Sequence, residues 1–576
     1  MPRSLSVPEV AATVRAAELR PAFPSPIDWR DHWIYFLMLD RFNNLDQPPR
    51  HQPYDDPNYY DFQGGTYGGV QAQLGYLNQL GVGAIWLSPV LKNCQYDPGS
   101  YHGYGIQNFL EAEPRFASNP ANADAELRAL VDAAHALGIY IVFDIVLNHA
   151  GDVFAYRDGG STANFSPDPL PIEWRDENGN PRPDWTDIAA IQNAPDNAVV
   201  WPAQLHNNAF FRRQGEAQGD SVIGDFGSLK QLKSDDASVC GALISIYQYV
   251  IARFDCDGFR IDTLRYLGGN TPQVFGNAIR EYALSIGKEN FFTFGEVFDP
   301  NAEEDIARFI GRNTNDGGDL VGVDAALDYP LYFSLPAVAK GFAAPQSLAG
   351  MYQNRKAVEQ DIISSHGDAS RFFVTFLDNH DVKQRFYYVD PQNPHRFDDQ
   401  VTLAVAVLFS LQGIPCLYYG TEQGLHGAGS DPAVREALWG LSNFDPAAEF
   451  YADIQAIAEI RANQPALRYG RQYFRPVSGD GNTFGISQDS PGVVAFSRIL
   501  NDEEVVVVAN ANEAQSVSLW VVVDASLNPE GAEFQILYSN KAVSAVPGNV
   551  TQFDGGNHAL RATLAGMEVQ ILGAVR

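Results

Sequence analysis

The chain has 576 residues, 45% of them apolar and 19% charged, so it is long enough for several domains and too apolar to be globally disordered. Against 70 aspartates and glutamates stand 39 lysines and arginines, a formal net charge of −31 that argues against nucleic acid or an anionic membrane as partner and suits a neutral ligand. The four cysteines, Cys94, Cys240, Cys256 and Cys416, fit no zinc spacing and are too sparse for a disulfide framework; Cys256 and Cys416 read as buried thiols.

In chain order, residues 1–28 lack the apolar core of a signal peptide and include a proline-rich PAFPSP stretch. They read as an arm packed on the body of the chain. A cytoplasmic chain is expected, or a secreted one whose leader has been removed. No long uninterrupted apolar stretch predicts a membrane span. Short β-branched or aromatic runs then alternate with helical patterns. WIYFLMLD (33–40), GAIWLSP (83–89), IYIVFDIVLN (139–148), DGFRID (257–262), FFTFGE (291–296), FFVTFLD (372–378) and IPCLYYG (414–420) read as strands buried on both faces, and VGVDAALD (321–328) holds a further one. Val70, Leu74, Leu77 and Leu80 share a helix face, as do Leu127, Leu130, Val131, Ala134 and Leu137, and Leu243, Tyr247, Val250 and Phe254. Eight strands with interleaved helices predict an α/β fold, a (β/α)8 TIM barrel over 29–149 and 236–466. Residues 150–235, rich in Asn, Asp, Pro and Gly, are too long for a βα loop and predict an inserted, loop-rich domain after the third strand. In it, Trp174, Trp185 and Trp201 read as core more readily than as sugar platforms. Residues 467–576 carry strand patterns only and predict a β-sandwich, with Asn501-Asp502 as a hairpin turn and Trp520 in its core.

Functional residues of a barrel gather where its strands end. Here the third strand ends Asp144-Ile-Val-Leu-Asn148-His149, the fourth Arg260-Ile-Asp262, the fifth Phe-Gly-Glu296 and the seventh Asp378-Asn-His380-Asp381. Arg260 and Asp262 alternate along a strand and so point to one face. A charged pair there is costly without a role or partner. Asp262, Glu296 and Asp381 are therefore expected to converge. Two carboxylates across an anomeric carbon are what glycosidic cleavage requires. Arg260 beside Asp262 favours the anion, which suits a nucleophile. Glu296, among aromatics and near other acids, should hold its proton, which suits a general acid.

These segments resemble the α-amylase family of α-glucan-active glycoside hydrolases. DIVLNH, GFRID, FGE and FLDNHD are similar to its four signature regions; LDRFNN, FQGGTYGGV, IWLSPV, YHGYG and GIPCLYYGTEQG support the likeness, which covers roughly 30–465. The resemblance implies a retaining double displacement on α-1,4-glucosidic bonds in maltooligosaccharides or starch-like glucans. It implies Asp262 as nucleophile, Glu296 as acid/base and Asp381 as the third carboxylate. It further implies Arg260, His149 and His380 as sugar ligands, Tyr104 as a stacking platform with His102 beside it, and Asp144 as buried support. The alternative is a transglycosylase or isomerase in which a sugar takes the place of water.

Where typical endo-acting members carry Lys-His, this chain has Arg265-Tyr266. Arg265 is expected to bind sugar on the acceptor side, with a different reach from Lys. The resemblance also implies a structural calcium ion between barrel and insert, held by Asn148, Asp225 and the carbonyl of Tyr266. No organic cofactor is expected, because GGTYGG does not follow a strand as a dinucleotide loop would.

Overall fold

The structure is a computed structural model that describes residues 3–51, 60–299, 302–313, 320–441, 444–448 and 450–575. Eight strands, β1 (Ile34–Leu37), β2 (Ala84–Leu87), β3 (Tyr140–Val146), β4 (Gly258–Asp262), β5 (Phe292–Gly295), β6 (Ala325–Ala326), β7 (Val374–Thr375) and β8 (Ile414–Tyr418), pair in parallel. Their order is β6-β5-β4-β3-β2-β1-β8-β7, and a parallel bridge between Leu327 and Val374 closes the ring. The Asp328 N–H donates to the Val374 carbonyl at 2.9 Å across this closure. Residues in β1, β2, β4, β5 and β8 are buried throughout, because side chains fill the inside and helices cover the outside.

The sixth strand is only two residues long, shorter than its apolar run suggests. Acids flank it on both sides. Asp324 accepts from the Thr293 N–H and hydroxyl, at 3.0 and 2.9 Å, and Asp328 caps a helix through the Leu331 N–H at 3.1 Å.

The outer layer includes α1 (Pro8–Leu19), α2 (Tyr67–Ala72), α3 (Leu74–Gln79), α4 (Ala123–Ala136), α5 (Ala237–Phe254), α6 (Thr271–Ser285), α7 (Tyr329–Ala339), α8 (Pro345–Glu359), α9 (Asp398–Ser410) and α10 (Tyr451–Asn463). The expected helix faces are buried, with one exception. Leu137 is the C-cap of α4 and is exposed, since the chain has left the helical track there. The face around Val70 is split between α2 and α3 at Gln73. The N-terminal arm is largely helical: α1 lies against α5, and the Arg20 guanidinium donates to the Ala252 carbonyl at 3.2 Å. Helix α5 is apolar and long enough in composition to cross a membrane, but it packs against α1, α4 and α6 with most of its apolar residues buried.

Between β3 and α5 the chain forms the insert. Phe154, Trp174 and Phe211 meet edge to face at 5.3–5.5 Å and make a small core. Its seam with the barrel is a short antiparallel pair, His149–Ala150 against Lys230–Gln231. After residue 470 two antiparallel sheets, of five and four strands, enclose their own apolar cluster. Asn501 and Asp502 turn between Val493–Leu500 and Glu503–Asn510. Trp520 corrects the expectation of a core residue. Strand alternation sends Leu519 and Val521 inward and Trp520 to the outer face, against Phe553 and Arg561.

Candidate active site

Parallel strands of a barrel all end at one rim, so each strand delivers its last polar residues to the same place. Arg260 is the hub. Its fully buried guanidinium donates through Nη1 to Asp144 Oδ1 at 2.9 Å and Asp262 Oδ1 at 3.0 Å, and through Nη2 to Glu296 Oε2. Asp144 is fixed from two further sides, by Trp86 Nε1 at 3.1 Å and the Tyr104 hydroxyl at 2.8 Å. It holds the arginine from beneath and does not line the cavity.

Thr263 follows directly and takes a left-handed φ of 48°, a strained setting for a β-branched residue. That turn aims the Thr263 hydroxyl at Asp262 Oδ2, 3.1 Å, and its N–H at Glu296 Oε2, 3.4 Å. Asp381 reaches the rim on the loop after β7. It meets His380 Nε2 at 3.3 Å and the Arg435 guanidinium at 3.2 Å. The Tyr104 ring stacks parallel to His380 at 5.6 Å. Gly103 makes this placement possible: at φ +89° a Cβ would sit 2.4 Å from the Pro89 carbonyl oxygen.

Asp262, Glu296, Asp381, His102, Tyr104 and His149 line one cavity of about 430 Å³, together with Arg435 and Thr263. A larger cavity of about 590 Å³ lies where the barrel meets the C-terminal sheets, around Phe342 and Tyr388, and contains none of the expected acids. The chemistry therefore belongs to the smaller one.

Burial raises the Glu296 carboxyl well above its ordinary range; Arg260 opposes this, and the negative charges of Asp262 and Asp381 reinforce it. Burial likewise pushes Asp144 up to about 7, against the pull of Arg260. His102, His149 and His380 are all lowered, chiefly by burial, which disfavours their charged forms. The Tyr104 N–H donates to His102 Nδ1 at 3.0 Å, which leaves the proton on Nε2. Nδ1 of His380 is buried without a hydrogen-bond partner among the described residues, and His149 Nε2 lies 3.9 Å from Asp262 Oδ2.

Not every expected residue joins this group. Arg265 turns to Asp299, 2.6 Å, and Asp305, 3.7 Å, and also donates to the Phe298 carbonyl at 3.2 Å. It braces the loop after Glu296 and does not line this cavity, since the nearby acids hold its guanidinium. Of the expected calcium ligands, the side-chain oxygens of Asp225 and Asn148 are already engaged. Asp225 accepts from the Tyr156 hydroxyl at 2.6 Å and the Gln231 N–H at 2.9 Å, and pairs with the buried Lys230 ammonium at 3.4 Å. The Asn148 amide oxygen accepts from Gln231 at 3.3 Å. Tyr266 packs edge-on against Phe226 at 4.7 Å. A hard cation needs six to eight oxygens, and this donor set does not fit one.

Sequence reasoning missed Arg435, Thr263 and Lys230. Arg435 sits in an irregular segment with no strand-end pattern. Only the left-handed turn gives Thr263 its role, and β-branched residues carry no such signal.

A family model described as "Alpha amylase, catalytic domain" matches residues 36–470. The chain is 28% identical over 538 residues to an alpha-amylase of Streptomyces lividans, covering 85% of this chain and 55% of that protein. It is 24% identical over 539 residues to a cyclomaltodextrin glucanotransferase of Klebsiella oxytoca, covering 86% and 72%. It thus spans about half the length of the Streptomyces relative, and 33% of a Paenibacillus polymyxa beta/alpha-amylase to which it is 27% identical over 479 residues and 81% of its own length. In fold it resembles an alpha-amylase from Geobacillus thermoleovorans, solved in complex with acarbose, with a TM-score of 0.67 at 24% identity over 96% of this chain and 100% of that one.

Proposed function

Because the chain belongs to the α-amylase family, we propose that it is a retaining glycoside hydrolase that cleaves α-1,4-glucosidic bonds in maltooligosaccharides or starch-like α-glucans. The observation that carries this reading is the shared contact of Asp262 and Glu296 with one guanidinium and one threonine. That sharing brings the two carboxylates close. Retaining enzymes hold theirs about 5 Å apart, whereas inverting ones leave a wider gap for water.

In the first step Glu296 gives its proton to the glycosidic oxygen while an Asp262 oxygen attacks the anomeric carbon. The C1–O bond to the leaving sugar breaks and a C1–O bond to Asp262 forms. In the second step Glu296, now anionic, takes a proton from water. The hydroxide oxygen displaces Asp262 from C1, which restores both carboxyl groups. Asp381 and the histidines grip the sugar hydroxyls, and the Tyr104 ring offers its face to the pyranose. Proton NMR during maltooligosaccharide cleavage tests the mechanism. The α-anomer should appear first; an initial β-anomer would reject it.

A second reading is transfer to a sugar acceptor. Phe298, two residues past Glu296, and Phe333 are partly exposed and meet at 5.9 Å, a surface on which an incoming sugar could stack. Phe298→Ala should lower the ratio of transfer products to hydrolysis products from maltotriose. An unchanged ratio removes this reading and leaves the first intact.

A further inference from the structure

The seam between barrel and insert contains a cation that belongs to the chain itself. Lys230 is fully buried, with its ammonium 3.4 Å from Asp225 Oδ2 and 3.6 Å from Asp152 Oδ1. It also donates to the Ser161 carbonyl. The rings of Tyr156 and Phe154 face it at 4.9 and 5.2 Å from their centroids. These partners come from separate stretches of the insert. The backbone of Lys230 pairs opposite Ala150, next to His149. One ammonium thus gathers the folds of the insert and pins them to the strand that continues β3 into the cavity.

The surroundings balance this charge. Asp152 also pairs with Arg175 at 2.9 Å, so two cationic and two anionic side chains meet in the cluster. A divalent ion entering here would compete with the Lys230 ammonium for Asp225 and Asp152, and the Asp225 oxygens already accept other donors. Among the described residues no three His, Cys, Asp or Glu side chains are gathered to hold a metal ion.

We infer that the Lys230 ammonium does the work of a bound metal ion at this seam, so that the insert is fastened to the barrel without calcium. The inference concerns assembly and stands apart from the substrate reading.

Metal content and thermal melting of the full chain test it, both independent of activity. After gel filtration in calcium-containing buffer, elemental analysis should find far less than one calcium per chain. The melting temperature should be the same in EDTA and in millimolar calcium. Lys230→Ala leaves the buried Asp225 carboxylate without its cation and should melt about 5 °C lower or more. One tightly held calcium per native chain, an EDTA-induced drop in the native melting temperature, or a Lys230→Ala chain as stable as the native one would each overturn the inference. If Lys230→Ala does not fold, the native metal content and EDTA response decide alone.

Discussion

Arg260 spreads one positive charge over three carboxylates, and that geometry depends on the planar fork of its guanidinium. A lysine could approach one of them and not all three. Arg260→Lys should lower kcat about 100-fold or more while leaving the fold intact by circular dichroism. It should also move the alkaline limb of kcat/KM upward, because Glu296 loses part of the charge that opposes its raised carboxyl. Asp262→Asn removes the proposed nucleophile and should cost at least about 1,000-fold in kcat with little change in melting temperature; near-native turnover would reject the assignment. The sign of the native pH profile follows from Glu296. The proposed first step needs its protonated form and burial raises its carboxyl, so activity should persist above the ordinary carboxyl range. It then falls as pH rises through the raised value. That limb should vanish in Glu296→Gln, measured with a substrate whose leaving group needs no protonation.

At the scale of elements, the ends of β4 and β5 must touch for two carboxylates to share one threonine. Gly295 allows it: a Cβ there would lie 2.1 Å from Leu264 Cδ2 and 2.9 Å from its Cβ. Gly295→Ala should therefore shift the turn that carries Thr263, lowering kcat more than it raises KM, although no substrate contact is removed. Titrating both constants against a short maltooligosaccharide would show the split. In the insert, Trp174→Ala opens the Phe154–Phe211 cluster and should destabilise by about 3–5 kcal/mol. Limited proteolysis should then cut the insert before the barrel.

Across the whole molecule, the C-terminal sheets do more than sit beside the barrel. Arg498, buried on one of their strands, donates to the Ser410 carbonyl at the end of α9 at 2.7 Å and to the Gly470 carbonyl at 2.9 Å. Arg461 on α10 adds a bond to the Phe409 carbonyl at 2.7 Å. Two arginines thus satisfy carbonyls that the end of α9 leaves unpaired. Arg498→Ala strands buried carbonyls and should separate one cooperative melting transition into two, the C-terminal sheets unfolding first. Calorimetry that still gives a single transition at the native temperature would refute this coupling.

What the sequence determined by itself is what repeats locally. Apolar runs buried on both faces announced the barrel strands, the alternation of Arg260 with Asp262 placed both on one face, and the strand-end acids marked the rim. Such signals are legible because side-chain direction along a strand has a fixed period. Tertiary structure decided the rest. It set Arg435 against Asp381, diverted Arg265 to Asp299, turned Trp520 outward, and surrounded Lys230 with acids at the seam. Each of these depends on which charge or face lies opposite after distant segments pack, and residue spacing along the chain carries no record of that.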